Sequence, residues 1–219
     1  QANFVKLTYN LSTNVSPAEA ASAGCMVNTN TSDPHDCGSV VLVTANNSSA
    51  PCWAFLNWSG DMTGSNNPDT IVMNGNKTVQ ANFAINTYTL NLSVNGSGTI
   101  TPVAGPHTYN CSDIVTINAT PAVCYHFVAW TGNTSALTGA ATNASNSANM
   151  TDHVSLTANF AIDTFTVTYI AGKGGTVTGN LNQTVNCSAN GSVVTAVPEA
   201  CYSFASWSDS VTTPTHTAI

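Results

Sequence analysis

Seven cysteines carry most of the chemistry available to this 219-residue chain. Six recur as three pairs, Cys37 with Cys52, Cys111 with Cys124 and Cys187 with Cys201, at spacings of 15, 13 and 14 positions. Thiol pairs can ligate zinc, exchange electrons or brace a fold. Zinc sites need closely spaced ligands such as Cys-x-x-Cys plus further partners, and that spacing does not occur. The repetition therefore reads as structural disulfides, with one bond expected inside each repeat. At roughly 3.3 Å per residue, the intervening chain can leave along one strand and return within bonding reach. A loop of that size stabilises a small fold by about 3 kcal/mol. Cys25 has no counterpart. It reads either as a buried or capped thiol (or an alternative partner for Cys37), or as a bond to another chain.

Other polar groups give weaker signals. His35, His107, His126, His153 and His216 share no spacing, and no nucleophile elbow or carboxylate pair accompanies them. His126 takes a slot that Ala54 and Ser203 fill in the other repeats, the mark of an ordinary surface position. Asp61, Asn66, Asn67 and Asp69 make an oxygen-rich stretch that could hold Ca²⁺, but Asn and Asp also favour turns for their own reasons. The turn is the preferred reading. Trp53, Tyr125 and Tyr202 could stack on sugars if exposed, although packing beside a cystine at a strand start is the simpler role. No catalytic residue, metal site or cofactor is expected.

Composition narrows the partners. Only 6% of residues are charged, arginine is absent, and the lysines are Lys6, Lys77 and Lys173. At a net charge of -7 there is no basic patch to neutralise phosphates, so nucleic acid and anionic membrane surfaces are not expected partners. No apolar run approaches the roughly 20 residues of a spanning helix. Asn, Thr and Ser supply solubility instead of charge, and they favour turns and strands over helix interiors. The absence of a starting methionine suggests a processed product or a fragment. Cysteine use, together with seventeen Asn-x-Ser/Thr sequons, points to an oxidising extracellular compartment. Candidate glycosylation sites include Asn10, Asn57, Asn76, Asn118, Asn149 and Asn182.

The elements that must position these groups repeat at a period near 77 residues. Ala81-Asn82-Phe83-Ala84-Ile85-Asn86-Thr87-Tyr88 returns as Ala158-Asn159-Phe160-Ala161-Ile162-Asp163-Thr164-Phe165, and Ala2-Asn3-Phe4 is the same tail without its body. A Cys-[Trp/Tyr]-x-Phe-x-x-Trp-[Ser/Thr] segment begins at Cys52, Cys124 and Cys201. It supplies the expected core residues Phe55 and Trp58, Phe127 and Trp130, and Phe204 and Trp207. Alternating runs predict short half-buried strands: Leu7, Tyr9, Leu11 with Tyr88, Leu90, Leu92 and Phe165, Val167, Tyr169; then Val41, Val43, Ala45 with Val115, Ile117, Ala119 and Val194, Ala196. Gly96-Ser97-Gly98 and Gly174-Gly175 supply tight turns. The strand after each cysteine carries Phe-x-x-Trp, and Val79, Ala81, Phe83 or Leu156, Ala158, Phe160 closes the module.

These segments resemble the divergent B-repeat modules of bacterial internalin-type surface proteins. The resemblance covers nearly the whole chain, and implies a mainly β fold of tandem small β-grasp-like modules on secreted or wall-attached proteins, with no catalytic residues to carry over. Cysteines such as Cys111 and Cys124 stand where that family commonly has tyrosine or glycine. The expected organisation is residues 1–4 as the closing strand of a preceding module, 5–85 as a first module with an insertion at about 20–36, 86–162 as a second, and 163–219 as a third without its closing strand.

A sheet without its last strand exposes unpaired backbone groups. The expectation is that Ala2, Asn3 and Phe4 of one unit complete the third module of a neighbour, by strand exchange between subunits or along one long chain; the alternative is that both ends are an arbitrary boundary. Either form of completion runs on head to tail. Two function classes follow: a structural filament, stalk or surface fibre, and a cell-surface adhesin or glycan-binding module. Matching surfaces on all modules would favour the first, and a distinctive groove on the first module the second.

Overall fold

A computed structural model describes residues 1–218; Ile219, the last residue of the expected third module, lies outside the described residues. The first module contributes β1 (Thr8–Tyr9), β2 (Leu11–Ser16), α1 (Ala18–Ser22), β3 (Met26–Thr29), β4 (His35–Asp36), β5 (Val40–Asn46), β6 (Trp53–Gly60), β7 (Asp69–Val72) and β8 (Lys77–Ile85). The second contributes β9 (Thr87–Asn95), β10 (Gly98–Thr101), β11 (Gly105–Asn110), β12 (Ile114–Pro121), β13 (Tyr125–Gly132), β14 (Ser145–Asn149) and β15 (Val154–Ile162). The third has β16 (Thr164–Thr168), β17 (Gly175–Gly179), β18 (Asn182–Asn186), β19 (Val194–Pro198) and β20 (Thr215–His216). The chain is mainly β, in several small sheets, as its composition and alternation require.

Each module repeats one sheet plan. In the first, the sheets run β2-β8-β6 and β3-β5-β7, with β1 paired to β4. In the second they run β11-β9-β15-β13 and β10-β12-β14. The closing strand lies inside its sheet: β8 pairs in parallel with β2 and antiparallel with β6. Val79, Ala81 and Phe83 are all buried from it, and Leu156, Ala158 and Phe160 are buried from β15. A module lacking this strand loses two ladders at once.

The Phe-x-x-Trp spacing conflicts with strand alternation, since residues three apart should face opposite sides. A β-bulge resolves the conflict. Register slips between Phe55 and Asn57 on β6, and between Phe127 and Ala129 on β13. The extra residue, Leu56 or Val128, turns outward to solvent, and the flanking rings meet on the core side. Phe55 and Trp58 lie 5.0 Å apart between ring centroids, Phe127 and Trp130 5.8 Å.

The expected insertion at 20–36 is smaller than its sequence suggests. Only α1 and its flanking turns replace the tight Gly96-Ser97 turn; β3 occupies the sheet position of β10, and pairs with β5 as β10 pairs with β12. The sequence of β3, Met26-Val27-Asn28-Thr29, lacks the Gly-Thr-Ile signature of β10, which hides the equivalence.

The chain packs as two compact units. One takes Gln1–Leu90, His107–Ile114 and Asn149–Val154; the other takes the remainder. Val41, Val43, Trp58, Met73, Val79 and Phe83 anchor the first core. Leu92, Ile117, Trp130, Leu156 and Phe160 are buried in the second unit, with Val194 further along the chain.

Candidate assembly site: module junctions and an open third module

The cysteines do not pair as expected. Cys52 is bonded to Cys111 and Cys124 to Cys187, with Cα atoms 5.4 Å apart in each pair. Each bond therefore joins one module to the next, in place of the expected Cys37–Cys52, Cys111–Cys124 and Cys187–Cys201. The reason is directional. Within a module the first cysteine faces the strand that enters the module, and the second faces the strand that leaves it. The Cys111 N–H donates to Asn86 O at 2.8 Å, and the Asn86 N–H donates to Cys52 O at 2.7 Å. One junction later, Cys187 N–H donates to Asp163 O and Asp163 N–H to Cys124 O, both at 2.8 Å. A single linking residue thus stitches both cysteines of a junction through its backbone. Loops of 59 and 63 residues correspond to roughly 4 kcal/mol each by chain entropy, more than the short loops expected.

Serine completes each junction. Ser112 and Ser188 adopt left-handed backbone conformations, φ 69° and 61°, and place their hydroxyls 3.2 Å from Cys52 Sγ and 3.3 Å from Cys124 Sγ. His126, expected as a plain surface residue, is exposed but contacts the linking residue, with Nδ1 2.7 Å from Asp163 Oδ1.

Three cysteines are free. Cys25 is buried, and burial pushes its thiol pKa upward. That placement fits the reading of Cys25 as a buried thiol. Cys37 and Cys201 are exposed; both belonged to the expected disulfides, and neither is bonded.

The third module stands open. Its sheets are β16-β18 and β17-β19-β20, which correspond to β9-β11 and β10-β12-β14. The segment carrying Phe204 and Trp207, expected as a strand, has no regular structure, and among the described residues no strand pairs with it as β8 pairs with β6 and β15 with β13. A cavity of about 460 Å³ opens there, lined by Val167, Tyr169, Gly175, Val177, Phe204 and Trp207 among others. In the complete modules the corresponding space holds the closing phenylalanine: Phe83 packs edge-on against Phe55, and Phe160 against Phe127, with centroids 5.8 Å apart in both. At the other end of the chain, Phe4 is 94% exposed, whereas Phe83 and Phe160 are 4% and 6% exposed. Ala2, Asn3 and Phe4 form no strand.

The remaining candidates are spent on the fold. Asn67 mimics a strand neighbour, accepting from Ala45 N–H and donating to Ala45 O at 2.9 and 2.8 Å. Asp61 accepts the Thr78 N–H at 2.7 Å, and that bond, followed by the charge of Lys77, holds its carboxyl below the ordinary range. Asn66 offers its backbone oxygen to the Trp58 indole at 2.8 Å, and Asp69 caps Thr70 N–H. Among the described residues no group of three or more His, Cys, Asp or Glu is placed to hold a metal ion. His35 is buried and bridges Asp33 at 2.9 Å; His153 accepts from Thr89 N–H. Trp53 and Tyr125 are half-buried, while Tyr202 is exposed and lies over Gly174. Asn10, Asn57, Asn76, Asn118 and Asn182 are exposed, and Asn149 is half-buried.

Sequence reasoning missed one contact set of the open module. Tyr169 Oη lies 3.1 Å from His216 Nδ1, and His216 Nε2 lies 2.6 Å from Asp209 Oδ2. No spacing rule links the three, since the polar loop after each tryptophan varies in length and composition.

No helix among the described residues is long and apolar enough to cross a membrane. Two disulfides suit an oxidising compartment. No curated protein and no solved structure matches the chain. The sequence model of the divergent InlB B-repeat domain matches residues 13–87, 88–164 and 165–219. With three consecutive matches spanning nearly its whole length, the chain belongs to the divergent InlB B-repeat family.

Proposed function

We propose that this chain is a structural subunit of an extracellular filament, stalk or surface fibre, extended head to tail by strand complementation. The observation that carries the reading is a matched pair of defects. The segment Ala2-Asn3-Phe4, which matches the closing strand in sequence, lies outside any sheet, with Phe4 in solvent. A module carrying Phe204 and Trp207 has a cavity where closing phenylalanines sit in its siblings. Supplying that strand from a flanking module adds two ladders and buries a phenylalanine, about 2 kcal/mol from the side chain alone. A heterologous contact of this kind does not close on itself, so it propagates. Disulfides across junctions and exposed sequons open to glycosylation suit a load-bearing exterior role better than a catalytic one.

The test uses a C37S/C201S double variant, which keeps both internal disulfides. Sedimentation velocity and negative-stain microscopy should show oligomers that lengthen with concentration. Phe4→Asp, which puts a charge into the cavity, should return them to monomers. A double variant that stays monomeric at its highest soluble concentration would sink the reading.

A further inference from the structure

The second module carries a cleft that the first does not build. The loop after its tryptophan is longer: the Trp58 indole reaches Asn66 O, eight residues on, whereas the Trp130 indole reaches Asn143 O, thirteen residues on. This longer loop runs beside β14, where Thr138 N–H donates to Ser147 O at 2.9 Å and Leu137 bridges Ala148. It walls a shallow cleft of about 260 Å³, lined by Thr116 of β12, Ser145 and Ser147 of β14, and Thr138 and Asn143 of the loop. Thr116 and Ser145 are exposed while their strand neighbours Val115, Ile117 and Asn146 are buried, so alternation turns them away from the core.

The groups that hold the cleft are fully used. Asn146, 8% exposed, accepts the Gly139 and Ser147 N–H groups at 3.0 and 2.9 Å and donates to Ala140 O at 2.8 Å. The backbone N–H of Trp130 donates to Ala141 O, and that of Ala119 to Ala144 O. The loop is therefore fixed before any ligand arrives, which spares part of the ordering cost of binding. The lining groups are in the opposite condition. Among the described residues, no hydrogen bond engages the side chain of Thr116, Thr138, Asn143, Ser145 or Ser147. Hydroxyls and an amide, each able to donate and accept, share one small volume without partners.

The lining selects the ligand. No Lys, Arg, His, Asp or Glu borders the cleft, so neither an anion nor a metal ion meets an opposite charge there. No aromatic or large aliphatic side chain borders it either, which removes the contact that most apolar ligands depend on. What remains is recognition by neutral groups that donate and accept at once, the complement of adjacent sugar hydroxyls. We propose that this cleft binds one ring of a neutral saccharide. It is smaller than the roughly 300–1,000 Å³ of drug-sized sites, so it seats a single ring and leaves the rest of a sugar chain in solvent. The cleft lies wholly within the second module and does not depend on the filament proposed above.

The intact, isotopically labelled chain is titrated with the methyl glycosides of glucose, galactose, mannose and N-acetylglucosamine while its amide resonances are followed. At least one should give saturable shifts at Thr116 and across residues 138–147, with Kd on the order of millimolar. Thr116→Leu is the decisive variant, because the first module folds with Leu42 at the matching position of β5. It should weaken that glycoside about tenfold or more by losing a hydroxyl and filling the cleft, with the rest of the amide spectrum unchanged. Thr116→Ser should bind as wild type does, and Thr138→Val should bind about threefold to tenfold more weakly. Sodium phosphate and calcium chloride should leave the same amides unmoved. The inference falls if none of the four glycosides gives a saturable shift, or if both Thr116→Leu and Thr138→Val bind like wild type. Saturable shifts of these amides by phosphate or Ca²⁺ would overturn the neutral chemistry. Asn143-Ala144-Ser145 is itself a sequon, so native material glycosylated throughout at Asn143 would put the chain's own sugar at the cleft and overturn a free ligand.

Discussion

The second and third modules carry the same aromatic motif and reach different states. Trp130 is 1% exposed, whereas Trp207 is only partly buried. Yet the local contacts of the two are alike. The Trp130 indole donates to Asn143 O at 3.1 Å and the Trp207 indole to Thr213 O at 3.0 Å. The Phe–Trp ring pairs span 5.8 and 5.5 Å. What differs is β15. With it, β13 is a strand with a bulge and the tryptophan is sealed; without it, the same motif forms no strand. Local geometry is encoded in the motif, and burial is conferred by a strand remote in sequence.

The largest expected effect tests that division. Trp130→Ala removes a fully buried indole and should cost about 4 kcal/mol, while Trp207→Ala in the free chain should cost roughly 1 kcal/mol. Amide exchange along β12 to β15 and along β17 to β20 reads the two modules separately, which a single melting curve would not. Equal losses of protection would break the comparison. Adding a peptide of the sequence Gln1–Leu7 should sharpen it, by moving the Trp207 cost toward that of Trp130.

A smaller effect concerns the glycine beneath the closing strand. A Cβ on Gly98 would meet the Phe160 ring at 2.6 Å, whereas on Gly175 the nearest atom is Val197 O at 3.0 Å. Gly98→Ala should therefore cost about 1–3 kcal/mol through overpacking. Gly175→Ala should cost about 1 kcal/mol or less until the module is closed. Denaturant titration followed by exchange on β10 and β17 measures both. A Gly175→Ala variant that closes as tightly as wild type would show that the third module seats its phenylalanine differently.

The sequence made much of this legible. Alternation marks Val115, Ile117 and Ala119 on β12, and all three are buried; the same holds for Val79, Ala81 and Phe83 on β8. The repeat itself identifies the closing strand of the first two modules. Cysteine pairing was not legible, because a pattern with one pair per repeat is unchanged when every bond shifts by one module. Only the direction each cysteine faces decides, and Asn86 and Asp163, which set it, contribute backbone atoms that any residue supplies. The bulge was hidden for a related reason. Phe-x-x-Trp violates alternation, and sequence alone does not say whether the strand ends there or slips by one residue.

The smallest effect lies in the acid range. Asp209 in the open module is held below its ordinary carboxylate range chiefly by the His216 hydrogen bond, then by the Val211 N–H. A depressed native pKa contributes stability that is full above the unfolded value of about 3.9 and fades as pH falls through the lower native value. Acidification below about pH 4 should thus loosen β20 against β19, a pairing confined to Val194–His216 and Thr195–Thr215. Asp209→Asn should loosen the same pair already at neutral pH and flatten its response to acid. Because Asp209 is exposed, solvent screens the interaction, and the shift should be visible in exchange of β19 and β20 amides without moving global unfolding. Asp61 provides the internal control, since its carboxyl is lowered mainly by the Thr78 N–H inside a closed module. If β19 and β20 respond to acid no differently from β7 and β8, His216 does not hold the open edge.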